Sequence, residues 1–388
     1  MRSSDLSTRR LRAVEPEPFD VARAGAAAGH PVVYFRGREE LAGIGTAWRS
    51  GDLASPRPES ARCLFILPFE PSSARSVVVP GVIVVKNDAG TRVHVAPGAE
   101  GLLESLPAPP PLDVPSGRVA NEVPTADEWA GLVEHAKEEI AFGELSKVVL
   151  ARRVDVAVTQ GRAFDLLRPL GERFPNTFLY GWAEEGDVFL GASPELLVDK
   201  RGISVRSFPL AGSAPRGTGP DEDDHIAMEL LGASKEAEEH RFVVDEVARI
   251  MDALTIEMDF ADTPSVVRLP NIQHLGTEIL ATARPGVSLI DFVLALHPTP
   301  AVAGTPTDAA LRFIEENEPF DRGWYAGALG WMDQNGDGEA IVALRGTLFR
   351  GSIAQVYAGA GIVRDSIPAA EVAETDAKLA AILDVLTG

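Results

Sequence analysis

Residues 324–363 read WYAGALGWMDQNGDGEAIVALRGTLFRGSIAQVYAGAGIV. Three β-rich runs, WYAGALGWMD, EAIVALRGTLF and SIAQVYAGAGIV, predict three strands joined by short polar turns. DQNGDGE (333–339) imitates the start of a calcium loop through Asp333, Asn335, Asp337 and Gly338. Its twelfth position is Leu344, where a bidentate glutamate is required, so the segment reads as a hairpin turn. AGAGIV (358–363) carries two glycines of a dinucleotide fingerprint, with Arg364 where a third is needed, and no Rossmann site is expected. A helical stretch, SIPAAEVAETDAKLAAIL (366–383), closes the run. Strands arrive in blocks and the helix follows, which favours an α+β arrangement over a doubly wound sheet.

The same block pattern holds upstream. HPVVYFRG, ARCLFILPFE and RSVVVPGVIVVKN make the first hundred residues strand-heavy, and the proline-rich LPAPPPLDVPSG (106–117) reads as an irregular connector. TADEWAGLVEHAKEEIAFG predicts a helix opened by a Thr125/Glu128 capping box, and LSKVVLARRVDVAV predicts a long strand after it. The N-terminal strands have too few helices of their own to cover a sheet. The expected organisation is a polar segment over residues 1–20 and one intertwined domain over 21–388.

The chain has 388 residues and a formal charge of −21, from 36 basic and 57 acidic side chains. That balance argues against nucleic-acid or anionic-membrane partners, and it requires a locally basic pocket for any anionic substrate. A single cysteine, Cys63, excludes an internal disulfide and a cysteine zinc cluster. The N-terminus lacks an apolar signal core, and no apolar run reaches spanning length, so a cytoplasmic location is expected. Seven histidines without an HExxH pattern leave no zinc-hydrolase signature.

Two pairs of glutamates stand out. Glu236 and Glu239 extend the core-facing stripe Val243, Val247, Ile250 and Leu254 backwards along a helix. Glu371 and Glu374 extend the stripe Leu379, Ile382 and Leu386 in the same way, through Lys378 and Thr375. Inward carboxylates are costly to bury unless compensated, and a hard divalent cation such as Mg²⁺ compensates them well; solvated helix faces are the plainer reading. Lys147 opens the strand KVVLARR, either as a solvated edge lysine or as a general base in a closed pocket. Glu195 ends GASPEL, where Gly191 and Pro194 suggest a bend. SFPLAGSAPRG (207–217) offers free backbone N–H groups that suit either an anion or an ordinary turn.

Taken in order, KVVLARR, FLGASPELL, FPLAGSAPRG, SKEAEEHRFVVDEV, IQHL, LHPTPAVAGTP, FDRGWYAGALGW, VALR, YAGAGIV and AETDAK resemble the chorismate-utilising enzyme family, most closely its isochorismate-forming branch. The resemblance covers about residues 120–388, and upstream only YFRG and GIGTAWR match loosely. It implies an α/β fold of the α+β type, with a central two-sheet β-sandwich and helices packed outside. It implies a Mg²⁺-dependent isomerase that adds water at C2 of chorismate and expels the C4 hydroxyl, for siderophore or menaquinone production. A salicylate synthase, which goes on to eliminate pyruvate, is the alternative; an amine-transferring synthase subunit is disfavoured by Lys147.

By that resemblance Lys147 is the base and Glu195 the acid. Glu239 and Glu374 are direct metal ligands, and Glu236 and Glu371 bind through water. Gly212, Ser213, His297, Thr299, Ala301, Val302, Tyr325, Arg345, Gly359, Gly361 and Lys378 surround the substrate. No obligatory protein partner is implied, and a monomer is expected.

Overall fold

The computed structural model describes residues 15–53 and 62–388. Its largest sheet has eleven strands. Lys147–Gln160 lies beside Ile353–Ile362, which pairs with Gly346–Arg350; the order continues through Asp187–Ser193 and Phe178–Glu184 to Val32–Arg36. A second sheet of nine strands has Leu196–Arg201, Gly338–Val342, Ala328–Met332 and Cys63–Leu67 side by side at its centre. A small third sheet joins Leu210–Pro215, Ile272–Gly276 and Ser265–Arg268.

Side-chain alternation explains the layering. Val33 and Phe35 enter the core shared with Leu64, Phe65, Leu329 and Ile341 of the second sheet. Val32 and Tyr34 point the other way, into a second core with Val21, Leu166, Leu379 and Ile382. The result is a two-sheet sandwich with helices outside, the expected fold. The first hundred residues are woven into it: Cys63–Leu67 pairs with Ala328–Met332, and Val32–Arg36 with Phe178–Glu184. The segment expected to be polar over residues 1–20 lies outside the described residues as far as 14, and from Pro18 it is already helix (Pro18–Ala27).

Several local readings hold. The helix Ala126–Phe142 begins with the Thr125/Glu128 capping box, both hydrogen bonds formed, and Asp333–Asp337 is the turn of a hairpin. Other readings need correction. EAIVALRGTLF is not one strand: Gly338–Val342 belongs to the second sheet and Gly346–Arg350 to the first, with Arg345 between them at φ +50°. The β-branched and apolar run masks the break, because only backbone conformation distinguishes a continuing strand from one that changes sheets. The helix Pro220–Gly232, ahead of the expected Ser234–Asp252, was also unforeseen. No helix among the described residues is long and apolar enough to cross a membrane.

Candidate active site

Two strand-to-strand crossings between the large sheets meet at one place. The chain leaves the first sheet at Ser193 and enters the second at Leu196, and it returns between Val342 and Gly346. The crossings are tied together by Val342 N–H donating to the Glu195 carbonyl (3.2 Å) and Ala192 N–H donating to the Arg345 carbonyl (3.1 Å). Glu195 and Arg345 therefore project from adjacent sheet corners into the same cavity, which holds about 670 Å³ of atom-free space, its open mouth included. A left-handed backbone at a bulky residue such as Arg345 is strained, and such strain persists where the surroundings over-determine it.

Burial dominates the electrostatics. Glu195 is 3% exposed, and burial pushes its carboxyl up to about 8, against the opposing pull of Lys147. It is thus protonated at neutral pH. Burial also brings the Arg345 guanidinium down to about 10, which leaves it charged. Arg345 Nη2 donates to His274 Nε2 at 3.1 Å. A guanidinium has no acceptor, so the imidazole carries its proton on Nδ1 and donates it to Ser213 Oγ at 2.9 Å. Burial, then Arg345 and Lys378, hold His274 well below its ordinary value, consistent with a neutral ring.

The four glutamates converge from two helices, Ser234–Asp252 and Pro368–Thr387, and each faces a lysine. Lys147 is fully buried, with Nζ 3.0 Å from Glu239 Oε1 but outside hydrogen-bonding geometry. Lys378 Nζ donates to Glu374 Oε1 (2.5 Å) and to the Gly359 carbonyl (2.8 Å). Lys235 Nζ lies 2.6 Å from Glu371 Oε1 and 3.1 Å from Glu236 Oε1. Ser213 N–H donates to Glu236 Oε2 at 3.0 Å. Burial raises Glu371, with Glu374 adding to the rise, whereas Lys378 overcomes burial at Glu374 and holds that carboxyl low. Glycine makes room for this crowd: a Cβ on Gly361 would overlap Glu239 Oε1 and come 2.9 Å from Lys147 Cε.

The donor set suits a hard cation. All four ligand candidates are carboxylates, and Glu371, 1% exposed, has an Oε2 with no hydrogen-bond partner. As they stand, however, no three His, Cys, Asp or Glu side chains among the described residues are gathered closely enough to hold a metal. The acids are engaged by lysines instead.

Of the expected substrate residues, Gly212, Ser213, Ala301, Val302, Tyr325, Arg345, Gly359, Gly361 and Lys378 line the cavity, together with Glu195 and Glu239. Lys147, Glu236, Glu371 and Glu374 sit behind this lining rather than in it. His297 and Thr299 are not part of the wall. His297 is turned away, its Nε2 bonded to the Pro68 carbonyl at 2.8 Å, and burial lowers it to about 4. Thr299 contributes its carbonyl to Val302 and Ala303 N–H, shaping the loop that reaches the cavity.

Sequence reasoning missed three residues. His274 appeared only as a letter of IQHL, and its position between Arg345 and Ser213 needs the third sheet. Arg322 lines the cavity and clamps its walls, donating to the carbonyls of Val302 (2.8 Å) and Val149 (2.7 Å) while paired with buried Glu318. Lys235 appeared only as a letter of SKEAEEHRFVVDEV. Its signal was adjacency to Glu236.

Sequence comparison now bears on the site. A sequence model of the family described as chorismate binding enzyme matches residues 87–387. The chain belongs to the chorismate-binding enzymes. Among its relatives, isochorismate synthase DhbC of Bacillus subtilis is 39% identical over 67% of this chain and 68% of its own length. Isochorismate synthase MenF of Bacillus subtilis is 37% identical over 68% of this chain. That match spans 56% of the relative, so the chain aligns with little more than half of the relative's length. In structure, MenF, the menaquinone-specific isochorismate synthase of Escherichia coli, superposes with a TM-score of 0.86 at 28% identity, covering 97% of this chain and 93% of that one. The residues of the candidate site all fall inside the matched segment.

Proposed function

We propose that this chorismate-binding enzyme is an isochorismate synthase, an isomerase that adds water at C2 of chorismate and expels the C4 hydroxyl. The product would serve menaquinone or siderophore biosynthesis. The observation that carries the reading is a carboxyl kept protonated at neutral pH, Glu195 at about 8, in a cavity whose wall also contains Arg345 and is backed by buried Lys147. Hydroxide is a poor leaving group, and Glu195 supplies the proton that lets it depart as water. Lys147, buried against Glu239, is the base that takes the proton from the incoming water as its oxygen bonds to C2. Arg345, fixed by its bond to His274, grips a substrate carboxylate with its planar fork. Local cations of this kind offset the repulsion that a chain of charge −21 exerts on a dianionic substrate.

Glu239 and Glu374 would hold Mg²⁺ directly, and Glu236 and Glu371 through water. When bound, the cation neutralises the ring carboxylate and polarises the unsaturated system next to it. The reading places the whole reaction within one chain, in the cytoplasm, with no second protein required. Incubating pure protein with chorismate and Mg²⁺, with and without a chelator, tests it by separate assay of isochorismate, salicylate and pyruvate. Isochorismate alone, lost on chelation, is the expected outcome. Salicylate and pyruvate in equal amounts would make the enzyme a salicylate synthase instead, and turnover that survives chelation would remove the metal.

A further inference from the structure

Three lysines face the four glutamates. Lys147, the base of the proposed chemistry, is fully buried, and Lys378 is bonded to the Gly359 carbonyl as well as to Glu374. Lys235 differs. It stands at the second position of the helix Ser234–Asp252, directly after the break at Ala233 that separates it from Pro220–Gly232. Its ammonium joins Glu371 of the C-terminal helix to Glu236 of its own, at 2.6 and 3.1 Å, and its side chain is 22% exposed. It therefore bridges the two glutamate-bearing helices and has a route to water.

We infer that Lys235 is the resident counter-ion of the metal-free enzyme, holding the two glutamate helices together until a divalent cation displaces its ammonium toward solvent. The inference rests on the Mg²⁺ reading above. Its physical basis is charge balance: two helices that bring four carboxylates together repel each other unless cations lie between them. Lys147 and Lys378 each supply part of that balance, and Lys235 is the ammonium that touches a glutamate of both helices. The same contacts compete with metal for Glu236 and Glu371. No three acid side chains among the described residues are gathered at ligand distance. Partial exposure matters here, since a lysine that can re-enter water is displaced without leaving a buried charge unpaired.

Calorimetric titration of MgCl₂ into the full-length protein tests the exchange. Lys235→Met should bind Mg²⁺ at least about tenfold more tightly than wild type, because the competing charge is gone. Lys235→Arg, which keeps the charge, should stay within about threefold of wild type or bind more weakly. In EDTA the methionine variant should melt several degrees below wild type, and Mg²⁺ should restore it. A second arm needs no variant. Amine labelling of wild-type protein, mapped by mass spectrometry, should modify Lys235 several-fold faster with 10 mM MgCl₂ than with EDTA. Wild-type binding with unchanged or weaker affinity in Lys235→Met, or labelling indifferent to Mg²⁺, would overturn the counter-ion role and leave the metal reading standing. Absence of any Mg²⁺ binding by wild type would overturn both.

Discussion

Replacing Glu195 by Gln should stabilise the protein while disabling it, and the size of the gain follows from burial. The folded carboxyl stays protonated up to about pH 8, whereas in the unfolded chain it ionises near 4.5. A folded value above the unfolded one means that stability from this group is complete below pH 4.5 and is lost as pH rises toward 8. Each pH unit in that window costs about 1.4 kcal/mol, so at pH 7 the wild type has lost roughly 3 kcal/mol, and more at pH 8. Glutamine has the shape of the neutral acid and no proton to lose. Denaturant unfolding at pH 5, 7 and 8, read by tryptophan fluorescence, should show the variant drawing ahead of wild type by an amount that grows with pH. Turnover should fall by about two to four orders of magnitude, the range expected for removal of a general acid. A stability difference that is flat between pH 5 and 8 would mean that Glu195 ionises normally, and the acid would have to be sought elsewhere.

Lys147→Ala should reduce kcat by about two to four orders of magnitude while the limb of the pH profile set by Glu195 near 8 remains; near-normal turnover would rule the lysine out as the base. Gly361→Ala should abolish activity without global unfolding, since the new methyl would occupy the place of Glu239 Oε1 and crowd Lys147; circular dichroism alongside the activity assay separates the two effects. Arg345→Lys should chiefly raise KM by losing the planar fork, and Arg345→Ala should lose roughly 2–5 kcal/mol of substrate binding. Unchanged kinetics in the alanine variant would assign the carboxylate to another group. Thr125→Ala should lower stability by about 1 kcal/mol through loss of the capping box, with kcat untouched, as checked by urea unfolding and steady-state kinetics.

Local periodicity made much of this protein legible without coordinates. Strand-rich blocks, the Thr125 capping box, the hairpin at Asp333–Asp337 and the inward stripes that carry Glu239 and Glu374 depend on residues a few positions apart, where hydrogen bonding and side-chain alternation act directly. The ordered motifs also pointed to Lys147, Glu195 and Arg345 as one set. Tertiary structure decided what lies between those segments. Whether EAIVALRGTLF continues or crosses between sheets at Arg345 depends on a left-handed backbone that the apolar pattern does not encode. Burial of Lys147, which as an isolated strand residue reads most simply as solvated, depends on the helix that brings Glu239 against it and on the missing side chain of Gly361, whose place Glu239 and Lys147 fill. His274 and Lys235 acquire partners 71 and 136 positions away, respectively. The protonation of Glu195 arises the same way, since desolvation is a property of everything packed around a carboxyl rather than of its neighbours in the chain.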